Sequence, residues 1–133
     1  MYEKFGQFID GKWCQSSDKS TYEVINPANE ETLGHASKAT PKDVDRALKS
    51  AEKGLQVWKK TPPWQRSYII RRIADKIREK QDVLAKWMTL EVGKPLTEAK
   101  GEIGGAADIF EWNAEETKRI FGEIVESRFE DTR

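Results

Sequence analysis

The residues best suited to covalent chemistry are few. The 133-residue chain holds a single cysteine, Cys14, and a single histidine, His35. A thiol beside an imidazole is the simplest arrangement for nucleophilic catalysis, and both residues lie in strand-and-turn-like sequence near the N-terminus. One cysteine cannot form an internal disulfide, and a structural zinc site lacks its usual ligands. The sequence therefore offers one candidate nucleophile and one candidate base, with no further catalytic signature around them.

Motifs that bind phosphate or mark a known active site are absent. The sequence contains no G-x-G-x-x-G, P-loop, G-x-S-x-G, H-E-x-x-H or C-x-x-C pattern. Gly101, Gly104 and Gly105 fall inside a helical pattern, without the preceding strand that a dinucleotide loop requires. Adjacent acids such as Glu115-Glu116 are typical of solvated faces rather than acid–base couples. No catalytic site follows from these patterns.

Charge and hydropathy exclude several classes of protein. The 23 Lys and Arg residues balance the 23 Asp and Glu residues, which argues against a dedicated nucleic-acid binder but leaves a local basic face open. No apolar run approaches the roughly 18 residues of a membrane helix. The first residues lack the apolar core and small-residue cleavage site of a signal peptide. We expect a cytosolic protein with no nucleic-acid or membrane partner.

The first 39 residues are predicted to form a small antiparallel β unit. In residues 6–13 the sequence alternates around Asp10-Gly11, a strong signal for a two-residue hairpin. Residues 20–26 alternate again and stop before a proline, and a return strand is expected near 32–36.

Helical patterns begin at Thr40. The sequence Thr40-Pro41-Lys42-Asp43 has the residues of a capping box with proline at the first helical position. An apolar face then repeats at helical spacing, through Val44, Ala47, Leu48, Ala51, Leu55 and Trp58. A second helix opens at the Pro62-Pro63 pair, with an apolar face formed by Ile69, Ile70, Ile73, Ala74 and Ile77.

The other face of this second helix is basic and is formed by Arg66, Arg71, Arg72, Lys76, Arg78 and Lys80. We interpret it as a solvent-exposed face with intrahelical ion pairs. The alternative is a binding patch.

Two more helices and a strand-like tail follow. A third helix is predicted from about Asp82 to the stop signal at Gly93, with Val83, Leu84, Trp87 and Met88 facing inward. A fourth should run to Gly122, with an inward face of Ile103, Ala107, Phe110, Ala114 and Phe121. Its Gly104-Gly105 pair indicates close approach by another element, a ligand channel or simple tolerance. The fold class is α+β: a β unit over 1–39, four helices over 40–122, and a terminal strand over 123–133.

The order of several segments resembles the start of the aldehyde dehydrogenase superfamily. These segments are F-I-D-G-K-W at 8–13, I-N-P-A at 25–28, V-W-K at 57–59, W-Q-R-S-Y-I-I-R-R-I-A-D-K-I at 64–77, T-L-E-V-G-K-P-L-T-E-A at 89–99 and F-E-W-N-A-E-E-T-K-R-I-F-G-E at 110–123. Within this superfamily, the segments are similar to those of succinate-semialdehyde and lactaldehyde-type enzymes. The resemblance implies the N-terminal part of an α/β enzyme that uses NAD or NADP to oxidise an aldehyde to a carboxylic acid.

By this resemblance, the catalytic cysteine, the general-base glutamate and the main cofactor contacts lie outside these 133 residues. Cys14 does not match the catalytic position, so we expect the chain alone to be inactive. Residues 40–122 would belong to the cofactor-binding domain. Residues 123–133 would begin the hairpin that builds a homo-oligomer, and we expect them to drive self-association.

The resemblance also implies two supporting sites. One is a structural cation site for Na⁺ or Mg²⁺, with main-chain carbonyls of Val24 and Ile25 and the carboxylate of Glu91; oxygen ligands suit such hard cations. The alternative for Glu91 is a helix cap or an ion pair with Lys94. The other site is the substrate entrance, which is lined by Glu102, Ile103 and Ala106. A different reading of the whole chain is a non-catalytic helical module that assembles with a partner.

Overall fold

The structure, a computed structural model, describes residues 6–122. Two hairpins come first. Strands β1 (Gln7–Ile9) and β2 (Lys12–Cys14) pair across a turn in which Asp10 and Gly11 have φ values of 56° and 74°. Positive φ at both central residues is what a type I′ turn requires. Phe8 lies opposite Trp13, with ring centroids 5.2 Å apart. The predicted hairpin is therefore confirmed.

The second hairpin joins β3 (Thr21–Ile25) to β4 (Thr32–Ser37), and its antiparallel register is interrupted between Val24 and Ile25. The strand ends where predicted because the next residues form a turn around Asn26. The Asn26 side chain accepts a hydrogen bond from the Ala28 N–H at 3.0 Å, which is an Asx turn. This turn places Pro27 at the surface that the helices approach.

Four helices follow: α1 (Pro41–Trp58), α2 (Pro63–Glu79), α3 (Gln81–Val92) and α4 (Leu96–Glu116). The capping box at the start of α1 is present as predicted. Beyond residue 50, however, every residue of α1 is exposed. The apolar face predicted for this helix is uncovered in the described part of the chain, with Leu48 63% and Leu55 55% exposed.

Helices α2 and α4 pack along a seam of small residues. Ser67 and Ala74 on α2, and Ala107 and Ala114 on α4, are buried, and side chains of this size let two helix backbones approach closely. Arginines of α2 cross the same seam: Arg71 and Arg78 form ion pairs with Asp108, Glu111 and Glu115 of α4. The expectation of purely intrahelical pairs on the basic face was therefore wrong for these two arginines, because α4 presents acids at matching spacing.

Further details differ from the sequence prediction. Phe110, expected on the inward face of the fourth helix, is 39% exposed. Val83 does not face inward; it is 52% exposed, because α3 turns Ala85 into the buried position. The fourth helix ends at Glu116 rather than Gly122, and a 3₁₀ turn (Thr117–Arg119) follows, so Phe121 lies outside the helix. The Thr117 hydroxyl donates to the Asn113 carbonyl at 2.8 Å, and this back-bonding satisfies a terminal carbonyl where the helix tightens. The predicted terminal strand lies outside the described residues.

Candidate functional site

The residues expected to hold a cation lie at the end of β3 and in the last turn of α3. Val24 is half-buried and Ile25 is 49% exposed, at the point where the β3–β4 register is interrupted. Glu91 is an exposed residue of α3, two positions before Gly93. A Cβ atom built on Gly93 would lie 2.9 Å from the Pro27 Cγ atom. The loop that follows Glu91 therefore packs against the turn that follows Ile25.

Gly93 makes this approach possible in two ways. Its φ of 77° is in the left-handed region, which ends α3 in the manner that favours glycine. It also lacks the Cβ atom for which Pro27 leaves no room. The structure thus brings together the two segments that carry the expected ligands.

The donor set is poor in carboxylates. No group of three or more His, Cys, Asp or Glu side chains able to hold a metal occurs among residues 6–122. A cation here would depend on main-chain carbonyl oxygens with a single acid, a chemistry that fits a hard cation. Lys94, the alternative partner of Glu91, forms an ion pair with Glu102 of α4.

The residues expected at the substrate entrance lie on the first half of α4. Glu102 is exposed and is paired with Lys94, whereas Ile103 and Ala106 are half-buried. Between them, Gly104 meets the side chain of Gln81: a Cβ atom there would lie 3.2 Å from Gln81 Nε2. Close approach by another element therefore explains one glycine of the pair. A Cβ atom on Gly105 would meet nothing within 4 Å.

The candidate nucleophile and base have separate neighbours. The Cys14 thiol donates to the Gln7 carbonyl at 3.4 Å and accepts from Arg46 Nη2 at 3.6 Å. His35 Nε2 lies 3.8 Å from a carboxylate oxygen of Glu23 on the paired strand. Neither contact is a nucleophile–base pair, so within residues 6–122 no general base stands beside the Cys14 thiol.

Among the described residues, the acid whose pKa is lowered most is Asp43, which the sequence analysis treated only as part of a helix cap. Asp43 is 1% exposed, and its Oδ2 atom accepts from the backbone N–H groups of Thr40 at 3.0 Å and Ser17 at 3.1 Å. These two bonds hold the pKa of the Asp43 carboxyl well below its usual range. Arg46 neutralises the other oxygen at 3.1 Å. The S-S-D sequence at 16–18 was the available signal, but only the fold shows that it meets α1.

The neighbouring Asp18 is also kept ionised. Hydrogen bonds from the hydroxyls of Ser20 and Ser16 lower the pKa of Asp18 to about 2. A carboxylate that stays charged across the physiological range is unsuited to proton transfer near neutral pH. Asp18 and Asp43 are therefore structural acids: Asp18 holds the β2–β3 loop together through Ser16 and Ser20, and Asp43 fixes that loop to α1.

None of the helices in the described 6–122 segment is long and apolar enough to cross a membrane.

A family model described as "Aldehyde dehydrogenase family" matches residues 13–133. Glutarate-semialdehyde dehydrogenase of Pseudomonas putida is 41% identical over 126 residues, which are 95% of this chain and 26% of that protein. NADP(+)-dependent succinate-semialdehyde dehydrogenase of Escherichia coli is 40% identical over 125 residues, 94% of this chain and 26% of that protein.

Solved structures match as well. A point mutant of betaine aldehyde dehydrogenase from Staphylococcus aureus, in complex with NAD⁺, superposes with a TM-score of 0.90 at 33% identity, over 95% of this chain and 26% of that one. The backbone described here therefore recurs within a much longer chain. The chain spans about a quarter of the length of the curated relatives it matches.

Proposed function

This chain belongs to the aldehyde dehydrogenase family, and we propose that it forms the N-terminal quarter of an enzyme that oxidises a semialdehyde to a carboxylic acid with NAD⁺ or NADP⁺. The observation that supports this proposal is the match over residues 13–133 at 41% identity to a glutarate-semialdehyde dehydrogenase. The names of the relatives support a semialdehyde substrate and both cofactors.

The role of this segment is structural rather than catalytic. The thiol of Cys14 has no base beside it, and the most perturbed acids of the described chain hold loops in place. The nucleophile, the general base and most cofactor contacts are then supplied by other parts of the enzyme. We assign residues 40–122 to the cofactor-binding domain, residues 1–39 to a β unit beside it and residues 123–133 to the start of an oligomerisation hairpin. The working enzyme is a cytoplasmic homo-oligomer.

Two supporting sites complete the proposal. The carbonyl oxygens of Val24 and Ile25 and the carboxylate of Glu91 hold Na⁺ or Mg²⁺, a role supported by the packing of Gly93 on Pro27. When bound, the cation neutralises the acid and ties α3 to the β3–β4 turn. Glu102, Ile103 and Ala106 line the route by which the aldehyde enters.

A chimaera tests the function directly. This chain replaces the N-terminal segment that it matches in the Pseudomonas putida enzyme, and reduction of NAD⁺ and NADP⁺ is followed with glutarate semialdehyde. We expect an active chimaera, and a 133-residue chain that is inactive by itself. Cys14→Ala should leave the chimaera active, because the attacking thiol lies elsewhere.

Either of two experimental results would contradict the proposal. Aldehyde-dependent NADH formation by the homogeneous 133-residue protein, lost in Cys14→Ala, would place the chemistry in this chain. A chimaera that folds but does not turn over would favour the non-catalytic assembly module instead.

A further inference from the structure

The described body has an unusually small apolar core. The buried apolar residues are Ile9 and five alanines, and the largest fully buried side chain is that of Asp43. Large apolar side chains, among them those of Trp112 and Val57, are exposed to 71% and 70%. Folded domains bury their large apolar groups because burial drives folding. The helices therefore resemble one layer of a core whose second layer is contributed by other polypeptide.

One exposed apolar surface is a defined groove. It lies along α2 and the start of α3, has a volume of about 610 Å³, and has a floor of Ile69, Ile73, Ile77 and Leu84. Ile69 and Ile73 are 39% and 41% exposed. We call this feature the isoleucine groove.

The isoleucine groove faces away from α4. The α2 residues buried against α4 or paired with it recur every three or four positions, namely Ser67, Arg71, Ala74 and Arg78. Ile69, Ile73 and Ile77 share a different stripe of the same helix, since residues four apart lie one above the other. The groove is thus a second packing face of α2, and no element of the described chain lines it beyond α2, Lys80 and the first turns of α3.

We propose that the isoleucine groove is the docking surface for an apolar element from the other three-quarters of the aldehyde dehydrogenase polypeptide; this inference rests on the proposed function. Relatives keep the same backbone at a TM-score of 0.90 inside chains of which this segment is only 26%. The groove is therefore held in a shape that is compatible with the longer chain. It is also open and mostly apolar, as is typical of a surface that another element covers.

The rim indicates the chemistry of the docking element. Arg72, Lys76 and Lys80 border the groove, and only Glu79 among the acids of the described chain forms an ion pair with one of them, Lys76. A second copy related by a twofold axis would bring this basic rim against its own counterpart, where like charges repel. An apolar element flanked by Asp or Glu meets both the floor and the rim.

Thiol labelling in whole proteins tests this docking. Ile73→Cys is introduced, in a Cys14→Ser background, into the 133-residue chain and into the chimaera described above. The rate of maleimide labelling at that position is read by peptide mass spectrometry. We expect labelling to be slower in the chimaera by at least about tenfold, as for a site opened only by transient exposure. Asp75→Cys is the matched control, since Asp75 is an exposed α2 residue outside the groove, and its labelling should be similar in both proteins.

The outcomes separate the occupants. Equal labelling of Ile73→Cys in the two proteins overturns the proposal. Protection that rises with concentration in the 133-residue chain alone assigns the groove to a second copy, and protection by phosphatidylserine vesicles assigns it to a lipid surface; either result also overturns it. A folded, active chimaera with an unprotected groove counts against the groove alone, whereas protection in an inactive chimaera counts against the function alone. A chimaera that does not fold counts against both.

Discussion

The carboxylate of Asp43 accepts a hydrogen bond from the backbone N–H of Ser17, 26 positions earlier in the chain, at 3.1 Å. The same oxygen closes the capping box of α1 through the Thr40 N–H. One buried charge therefore serves both the first turn of a helix and the loop between two hairpins. Its ionised form therefore favours the packing of the β unit on α1.

We expect the chain to lose stability in acid because two of its carboxylates, those of Asp43 and Asp18, become protonated. The pKa values of Asp43 and Asp18 are lowered in the folded state, that of Asp18 to about 2, whereas an unfolded aspartate titrates near 3.9. A lowered folded pKa stabilises the protein fully above the unfolded value, and this stabilisation is lost as pH falls through the folded value. The urea midpoint should therefore be flat from pH 7 to about 5 and decline below about 4.

Asp43→Asn should lower the midpoint at pH 7, because a neutral amide oxygen accepts the Ser17 and Thr40 N–H groups more weakly than a carboxylate and its NH₂ group would face Arg46. It should also flatten the decline, because an amide does not titrate. Asp45→Asn, two positions along the same helix turn but exposed, is the control and should reproduce the wild-type profile. A decline that persists unchanged in Asp43→Asn would show that other groups cause it.

Replacing Gly93 should be costly. Gly93→Ala places a methyl group 2.9 Å from Pro27 Cγ at a φ of 77°, so both steric overlap and backbone strain oppose it. We expect a loss of at least about 1 kcal/mol in the free energy of unfolding. Gly105→Ala, inside α4 with open space at its Cβ position, should instead stabilise by about 0.5–1 kcal/mol. A Gly93→Ala variant as stable as wild type in urea titrations would contradict the close approach of Gly93 to Pro27.

Glu111 should make the α2–α4 seam sensitive to salt. Its carboxylate lies 2.7 Å from Arg71 Nη1 and 2.6 Å from Arg78 Nη2, but all three side chains are about 40% exposed, so screening limits the gain. Glu111→Gln should lower the Tm by only a few degrees at low ionic strength, and the difference from wild type should shrink in 1 M NaCl. Glu98→Gln, an exposed change near the other end of α4, should show no such salt-dependent gap.

The proposed cation site gives a separate thermal prediction. If Glu91 holds Na⁺ or Mg²⁺, adding either ion at constant ionic strength raises the Tm of wild type by mass action. Glu91→Gln should fold but respond less, because the only carboxylate of the proposed ligand set is gone. Equal shifts for wild type and Glu91→Gln would remove the site.

Local signals carried much of the fold. The Asp10-Gly11 turn, the Thr40 capping box and the Gly93 stop each depend on a few adjacent residues, so the sequence predicts them well. The sequence does not predict which distant segments contact one another. Arg71 and Glu111 are forty positions apart, and Val83 has the periodicity of a core residue although Ala85 takes the buried position. The expected ligands at 24, 25 and 91 came from family resemblance, and no local pattern places them together.

The exposure of residues 51–58, the second half of α1, has a consequence for the dynamics of this helix. In the described chain, the side-chain hydrogen bonds that join α1 to the hairpins and the loop between them come from Asp43, Arg46 and Ser50 in its first ten residues, and all eight residues from 51 to 58 are exposed. That stretch extends about 12 Å past the last of these contacts. The rate of amide hydrogen exchange should therefore increase along this one helix, from slow near Asp43 to fast near Trp58. This gradient should vanish when the rest of the enzyme covers residues 51–58.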